Sequence, residues 1–118
     1  MKTTFEKFKK LLSERILVID GAMGTMIQRH KLTEKDFRGE RFKDYTQDLK
    51  GNNDLLSITQ PDVIKGIHRE YFAAGADIIE TNTFGANRFR LDGFGLGDRV
   101  RDINFRAAKI AREARQII

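Results

Sequence analysis

The sequence predicts an α/β fold in which parallel strands alternate with helices. Residues 16–19 form an uninterrupted apolar run of β-favouring residues, and residues 76–83, which contain the apolar pair Ile78-Ile79, are predicted to form the second strand. Such runs are typical of strands that are buried on both faces of a parallel sheet. An amphipathic helical pattern lies between the two runs and another follows the second, so the order predicts a βαβα unit with a right-handed crossover.

Three helices are predicted from apolar spacing and end signals. Thr3 and Glu6 have the spacing of a capping box, which predicts a short amphipathic helix over residues 4–14. A second helix is predicted over residues 61–74, and a last helix over residues 98–117, where apolar residues recur three and four apart. Proline at the first position and glycine after the last favour the second helix.

The least regular part of the chain is the segment 22–59, which we call the insertion. Its aromatic residues are spaced through polar sequence, which indicates that it packs against the rest of the protein. Long irregular segments in small domains are usually functional or disordered. His68, beside the apolar stripe of the second helix, is predicted to be a partly buried, hydrogen-bonded structural histidine.

The amino-acid composition favours a soluble globular protein over a membrane protein or a nucleic-acid-binding protein. The 118 residues are 40% apolar and 33% charged, as expected of one soluble globular domain. No apolar run approaches the roughly 20 residues of a membrane span, and the N-terminus lacks the apolar segment of a signal peptide. We therefore expect a cytoplasmic protein with no membrane partner. The net charge of +5 is scattered among acids without interleaved aromatic residues, which argues against nucleic-acid binding.

The chain contains no cysteine and only two histidines, His30 and His68. Disulfides and thiolate metal ligands are thus excluded, and two imidazoles do not make a closed zinc site. No metal site is predicted within these residues.

Asp20 ends the first apolar run and opens the turn Asp20-Gly21-Ala22-Met23-Gly24-Thr25. Glycines before a helix can bind phosphate, but the spacing matches no P-loop or dinucleotide motif. A phosphatase of the aspartate-nucleophile type would need an aspartate where Val18 stands. Two interpretations remain open: Asp20 binds the ammonium group of a substrate, or it only caps the turn.

Glu80 ends the apolar pair Ile78-Ile79 of the second predicted strand and opens Glu80-Thr81-Asn82-Thr83-Phe84. Five consecutive residues with donors, acceptors and an aromatic ring directly follow an apolar strand. Polar residues at the carboxyl ends of parallel strands favour a ligand site over a merely satisfied polar cluster.

Four segments of the sequence, two of which contain Asp20 and Glu80, resemble a known family. The runs Ile16–Gln28, Phe37–Glu40, Asp48–Asp54 and Ala74–Phe84 are similar to the start of the homocysteine-binding domain of cobalamin-dependent methionine synthase. Betaine-homocysteine methyltransferase is a more distant relative. The likeness runs over nearly the whole chain and includes the insertion.

This resemblance implies a (β/α)₈ TIM barrel in which zinc, held by three cysteines of later strands, binds homocysteine as a thiolate. The methyl group comes from methylcobalamin and ultimately from methyltetrahydrofolate. The family's first-strand aspartate, which helps hold the ammonium group, corresponds to Asp20. The substrate-binding residues implied are Asp20, Gly21, Glu80, Thr81, Asn82, Thr83 and Phe84, with Asp20 and Thr81 the best candidates for direct contact.

Residues 1–118 are accordingly expected to be the N-terminal part of such a domain, comprising an N-terminal helix and the first two βα units. About 250 residues are needed for a complete barrel. The expected partners are homocysteine, the remaining barrel, and the cobalamin and folate modules. No catalytic residue is expected within this part, which is predicted to be inactive alone.

The alternative is a non-catalytic βαβα assembly module that completes a barrel with a partner chain. In either case two strands leave open sheet edges, which predicts that the chain self-associates.

Overall fold

The architecture is helical in the computed structural model, which describes residues 3–115. The helices are α1 (Thr4–Glu14), α2 (Met23–Gln28), α3 (Glu34–Arg38), α4 (Leu56–Thr59), α5 (Pro61–Ala73), α6 (Arg88–Asp92) and α7 (Val100–Arg115). Short 3₁₀ turns, Asn53–Leu55 and Gly97–Arg99, precede α4 and α7. Within the described part of the chain, no helix is both long and apolar enough to cross a membrane.

The three predicted helices are confirmed. Helix α1 begins with the predicted capping box, in which the Glu6 N–H donates to Thr3 Oγ1 at 3.1 Å and the Thr3 N–H donates to Glu6 Oε2 at 3.0 Å. Helix α5 has proline in its first turn. Helix α7 begins two residues later than predicted, and the last two residues predicted for it lie outside the described residues.

The predicted α/β class, a partial TIM barrel, is wrong for this structure. Residues 3–115 contain no strand and no sheet. The two predicted strands are extended segments that lie side by side and share a single parallel bridge, between Ile19 and Ile78. The backbone bonds that join them are Asp77 N–H to Val18 O at 2.7 Å, Ile78 N–H to Val18 O at 3.2 Å, and Asp20 N–H to Ile78 O at 2.9 Å.

The Asp77 side chain accepts a backbone N–H that would bond to a backbone carbonyl group in a longer pair of strands. The Val18 N–H donates to Asp77 Oδ2 at 2.9 Å, and the same carboxylate forms two hydrogen bonds with the Arg15 guanidinium. An aspartate that bonds the backbone competes with regular strand pairing. Two extended segments without a third strand or a covered face also gain little from pairing in water.

The contact between Arg15 and Asp77 changes the pKa of the Asp77 carboxyl group. The Arg15 side-chain hydrogen bonds, followed by the Val18 N–H, lower the pKa of Asp77 from its usual 3.8 to about 2. Because the folded-state pKa is the lower one, the contact stabilises the fold above pH 3.8 and is lost as the pH falls through about 2. The substitution Arg15→Gln should raise the pKa of Asp77, and an NMR titration of the carboxyl group measures the change. The matched change Arg106→Gln removes a guanidinium that pairs with Asp102 instead, and it should leave the pKa of Asp77 unchanged; equal values in both variants would contradict this assignment.

The core lies between the insertion, α5 and α7, and not around the extended pair. Its fully buried members include Leu49, Leu55 and Leu56 from the insertion, Ile64 from α5, and Ile103 from α7. Lys65 of α5 and Glu113 of α7 form an ion pair of 2.9 Å across these helices. The prediction that the aromatic residues of the insertion pack is confirmed, because Phe37 and Phe42 are buried in this cluster.

Glu34 and Arg38 organise the insertion despite its irregular sequence. The Glu34 carboxylate accepts hydrogen bonds from the N–H groups of Leu49 and Lys50 at 2.8–2.9 Å. Arg38 donates to Glu34 Oε2 at 2.7 Å and to the carbonyl oxygens of Tyr45 and Gln47. These bonds hold α3 against the segment 45–50.

An exposed apolar surface covers the N-terminal part of the described chain. Helix α1 buries none of its residues, and Ile16 is 89% exposed. We call this surface the N-terminal apolar face; its members are Phe5, Phe8, Leu11, Leu12, Ile16, Val18 and Ile19. The prediction that residues 16–19 are buried on both faces is therefore wrong, because no layer of this structure packs over them.

Candidate functional site

A cavity of about 370 Å³ lies where the two extended segments end. Its walls come from the turn after Ile19, the 3₁₀ turn of the insertion, and the segment after Ile79. The lining residues are Asp20, Gly21, Ala22, Met23, Gly24, Asn53, Asp54, Glu80, Thr81, Asn82, Thr83, Phe84, Gly85 and Arg90.

All seven residues predicted from the sequence to bind substrate line this cavity. The Ile19–Ile78 bridge is parallel and therefore brings the ends of both segments to the same side. The Glu80 N–H donates to Asp20 Oδ2 at 3.2 Å, which joins the two predicted motifs directly. A carboxylate offers about four acceptor positions, so Asp20 keeps capacity for a ligand donor.

Gly21 lies against the ring of Tyr71 from α5. The Tyr71 hydroxyl donates to the carbonyl oxygen of Ala22 at 2.7 Å. A Cβ atom at position 21 would lie 3.2 Å from that hydroxyl oxygen. Glycine at this position thus lets α5 hold the turn that presents Asp20.

Three polar side chains of the segment Glu80–Gly85, which we call the site loop, are hydrogen-bonded within the protein. Thr81 Oγ1 and Thr83 Oγ1 share a hydrogen bond of 2.8 Å, with both residues reaching the cavity wall. Asn82 is buried, and its Nδ2 donates to Asn53 O at 2.9 Å and to Ser57 Oγ at 3.3 Å. Phe84 is 98% exposed at the rim.

Asp54 and Arg90 also line the cavity but were not predicted from the sequence. Asp54 is buried, and its Oδ1 accepts a hydrogen bond from the Gly85 N–H at 3.0 Å. Burial raises the pKa of Asp54 above its usual value, although the Gly85 N–H and the Arg90 charge act in the opposite direction. The available signal was the polar run Asn52-Asn53-Asp54 directly before buried apolar residues, which is unusual inside a core.

The charges around the cavity favour a cationic ligand group. Three carboxylates, from Asp20, Asp54 and Glu80, face one guanidinium, from Arg90. Burial raises the pKa of Asp54, but Asp20 and Glu80 alone still outnumber Arg90. A cavity of this volume is at the lower end of the range for small-molecule sites, and an ammonium group bound here would gain charge-assisted hydrogen bonds.

The described residues do not fit a zinc ion. No group of three or more His, Cys, Asp and Glu residues among residues 3–115 could hold a metal. His68 is fully buried in α5, and burial lowers its pKa. The prediction that His68 is hydrogen-bonded is wrong, since neither ring nitrogen has a partner within the described part of the chain.

The chain was compared with known protein families. The family model for homocysteine S-methyltransferase matches residues 17–118, a range that includes every residue that lines the cavity. The chain therefore belongs to the homocysteine S-methyltransferase family. The chemistry of that family is methyl transfer to homocysteine.

Proposed function

We propose that this chain provides the amino-acid-binding part of a homocysteine site in a methyltransferase. The observation that carries the proposal is the excess of carboxylates around a cavity whose lining includes residues 20–24 and 80–84, both within the range that matches the family. Homocysteine is an α-amino acid whose ammonium group is cationic at neutral pH. An acidic cavity in a member of this family suits that end of the substrate.

In this proposal, Asp20 is the principal anchor of the ammonium group. It is partly exposed, it lies at the cavity wall, and its contact with the Glu80 N–H fixes its orientation. Glu80 adds a second negative charge at the same wall, and Thr81 and Thr83 offer hydroxyl groups beside it. Phe84 is placed to cover the ligand from the rim.

We further propose that the parent enzyme is a cobalamin-dependent methionine synthase, with methylcobalamin as the methyl donor. The sequence resemblance supports this finer assignment. Residues 3–115 include no group of three or more His, Cys, Asp and Glu residues that could hold a metal. In this proposal the zinc and the cobalamin would therefore be held by other parts of the parent enzyme. The chain alone is then expected to bind substrate without catalysing the transfer.

Isothermal titration with homocysteine tests the role of Asp20. Loss of one charge-assisted contact costs about 1.5–3 kcal/mol, so Asp20→Asn should raise the dissociation constant by about tenfold or more. Asp44→Asn is the matched control, since Asp44 is an exposed carboxylate outside the cavity lining. If Asp20→Asn and Asp44→Asn bind homocysteine as tightly as the unaltered chain, Asp20 serves only to hold the turn.

A second candidate function, an assembly module, is favoured by the N-terminal apolar face. The chain exposes 8107 Å², whereas a monomer of 13.6 kDa is expected to expose roughly 6,600 Å². The excess of about 1,500 Å², which is summed over the whole chain, is larger than the roughly 800 Å² that each partner buries in a standard interface. We propose that a second copy of the chain covers this face.

Sedimentation equilibrium at micromolar concentration should therefore give a mass above 13.6 kDa. Phe5 on α1 and Phe105 on α7 are both 67% exposed, so they make a matched pair. Phe5→Glu should shift the equilibrium towards monomer, and Phe105→Glu should not. A monomeric wild-type chain, or an equal response to both changes, would rule out association through this face.

A further inference from the structure

The site loop is attached to the insertion by two short hydrogen-bonded contacts. In the middle of the loop, Asn82 Nδ2 donates to Asn53 O and Ser57 Oγ. At its end, the Gly85 N–H donates to Asp54 Oδ1 at 3.0 Å. These hydrogen bonds are buried or partly buried and join residues more than 20 positions apart, so the shape of the loop depends on the insertion.

Gly85 fits closely between two charged side chains. A Cβ atom built on Gly85 would lie 2.5 Å from Asp54 Oδ2 and 2.5 Å from Arg90 Cδ. Both carboxylate oxygens of Asp54 therefore lie beside Gly85. Oδ1 accepts the hydrogen bond from the Gly85 N–H, and Oδ2 occupies the space that a side chain at position 85 would need. Only 5% of Asp54 is exposed, so its carboxylate has little room to move.

From these contacts we infer that Asp54 is a positioning residue, which fixes the end of the site loop so that Glu80, Thr81 and Phe84 stay at the cavity wall. A backbone N–H that donates to a buried carboxylate forms a stronger bond than one to a neutral acceptor. The carboxylate also faces the cavity and adds to its negative charge. The consequence for ligand binding rests on the proposed homocysteine site, whereas the positioning itself does not.

The first test is amide hydrogen exchange measured by NMR on the complete 118-residue chain. In the unaltered protein the Gly85 amide should be protected, although it lies in a loop, because its N–H donates to Asp54. Asp54→Ala removes the acceptor and should speed exchange at Gly85 by about tenfold or more relative to the α5 amides. Asp54→Asn keeps an acceptor oxygen and should retain most of the protection. An unprotected Gly85 amide in the unaltered chain, or unchanged exchange in Asp54→Ala, would overturn the inference, and the first of these outcomes needs no variant to fold.

The second test separates positioning from charge. Homocysteine titrations should show weaker binding for Asp54→Ala than for Asp54→Asn, because only the asparagine variant keeps the loop in place. Equal affinity in Asp54→Ala and the unaltered chain would show that the loop position does not govern binding. If the unaltered chain binds no homocysteine, the proposed function fails while the exchange measurement still decides the role of Asp54.

Discussion

Replacement of Leu56 by alanine is expected to lower the free energy of unfolding by about 2–5 kcal/mol. Leu56 begins α4, is fully buried, and lies in the cluster that joins the insertion to α5 and α7. Truncation removes buried methyl groups and leaves a cavity that rigid neighbours fill only in part. Urea denaturation followed by circular dichroism measures the change.

The matched control is Ile16→Ala, which removes a β-branched apolar side chain from the first predicted strand. Ile16 is 89% exposed, so its loss should change the unfolding free energy by no more than about 0.5 kcal/mol. The reverse order, a large loss for Ile16→Ala and a small one for Leu56→Ala, would place the core around the extended pair and contradict the described fold.

Gly85→Ala is expected to destabilise the protein by about 1–3 kcal/mol, the usual cost of overpacking. The added methyl group would lie 2.5 Å from Asp54 Oδ2. Since Asp54 is buried and bonded to the Gly85 N–H, it cannot move aside without breaking that bond. Chemical denaturation gives the stability change, and loss of Gly85 amide protection would report displacement of the site loop.

Gly66→Ala is the control for the glycine-to-alanine change. Gly66 lies inside α5, and a Cβ atom there would meet no atom within 4 Å. Alanine is the better helix former, so this variant should gain about 0.5–1 kcal/mol. Equal effects of the two substitutions would mean that space around Gly85 is not limiting.

The helices were predictable because their signals are local. The Thr3–Glu6 box and the proline that begins α5 act through neighbouring residues, and both are seen in the structure. Strand formation depends on partners. The run Ile16–Ile19 has strong β propensity, yet the Asp77 carboxylate accepts the Val18 N–H, and no third segment among residues 3–115 pairs with the run. One bridge therefore forms where a sheet was predicted.

Only some of the charged residues of the candidate site could be predicted from the sequence. Asp20 and Glu80 could be placed together because both end apolar runs that were predicted to be parallel, and the Ile19–Ile78 bridge has that direction. Asp54 and Arg90 reach the cavity only through the folded path of the insertion and of α6. No periodic pattern in the sequence encodes that path, so the polar run Asn52-Asn53-Asp54 was a signal for Asp54 alone, and Arg90 could not be predicted.

The most direct test of the proposed function is an NMR titration that locates the bound ligand on the complete chain. Under reducing conditions, homocysteine should cause saturable shifts that concentrate on the amides of Gly21, Gly24, Thr81 and Gly85. The deamino analogue 4-mercaptobutyrate keeps the thiol and the carboxylate but lacks the ammonium group, and it should cause no saturable shifts at these positions. Equal shifts with both compounds, or homocysteine shifts confined to residues outside the cavity, would contradict an ammonium-binding site built on Asp20 and Glu80.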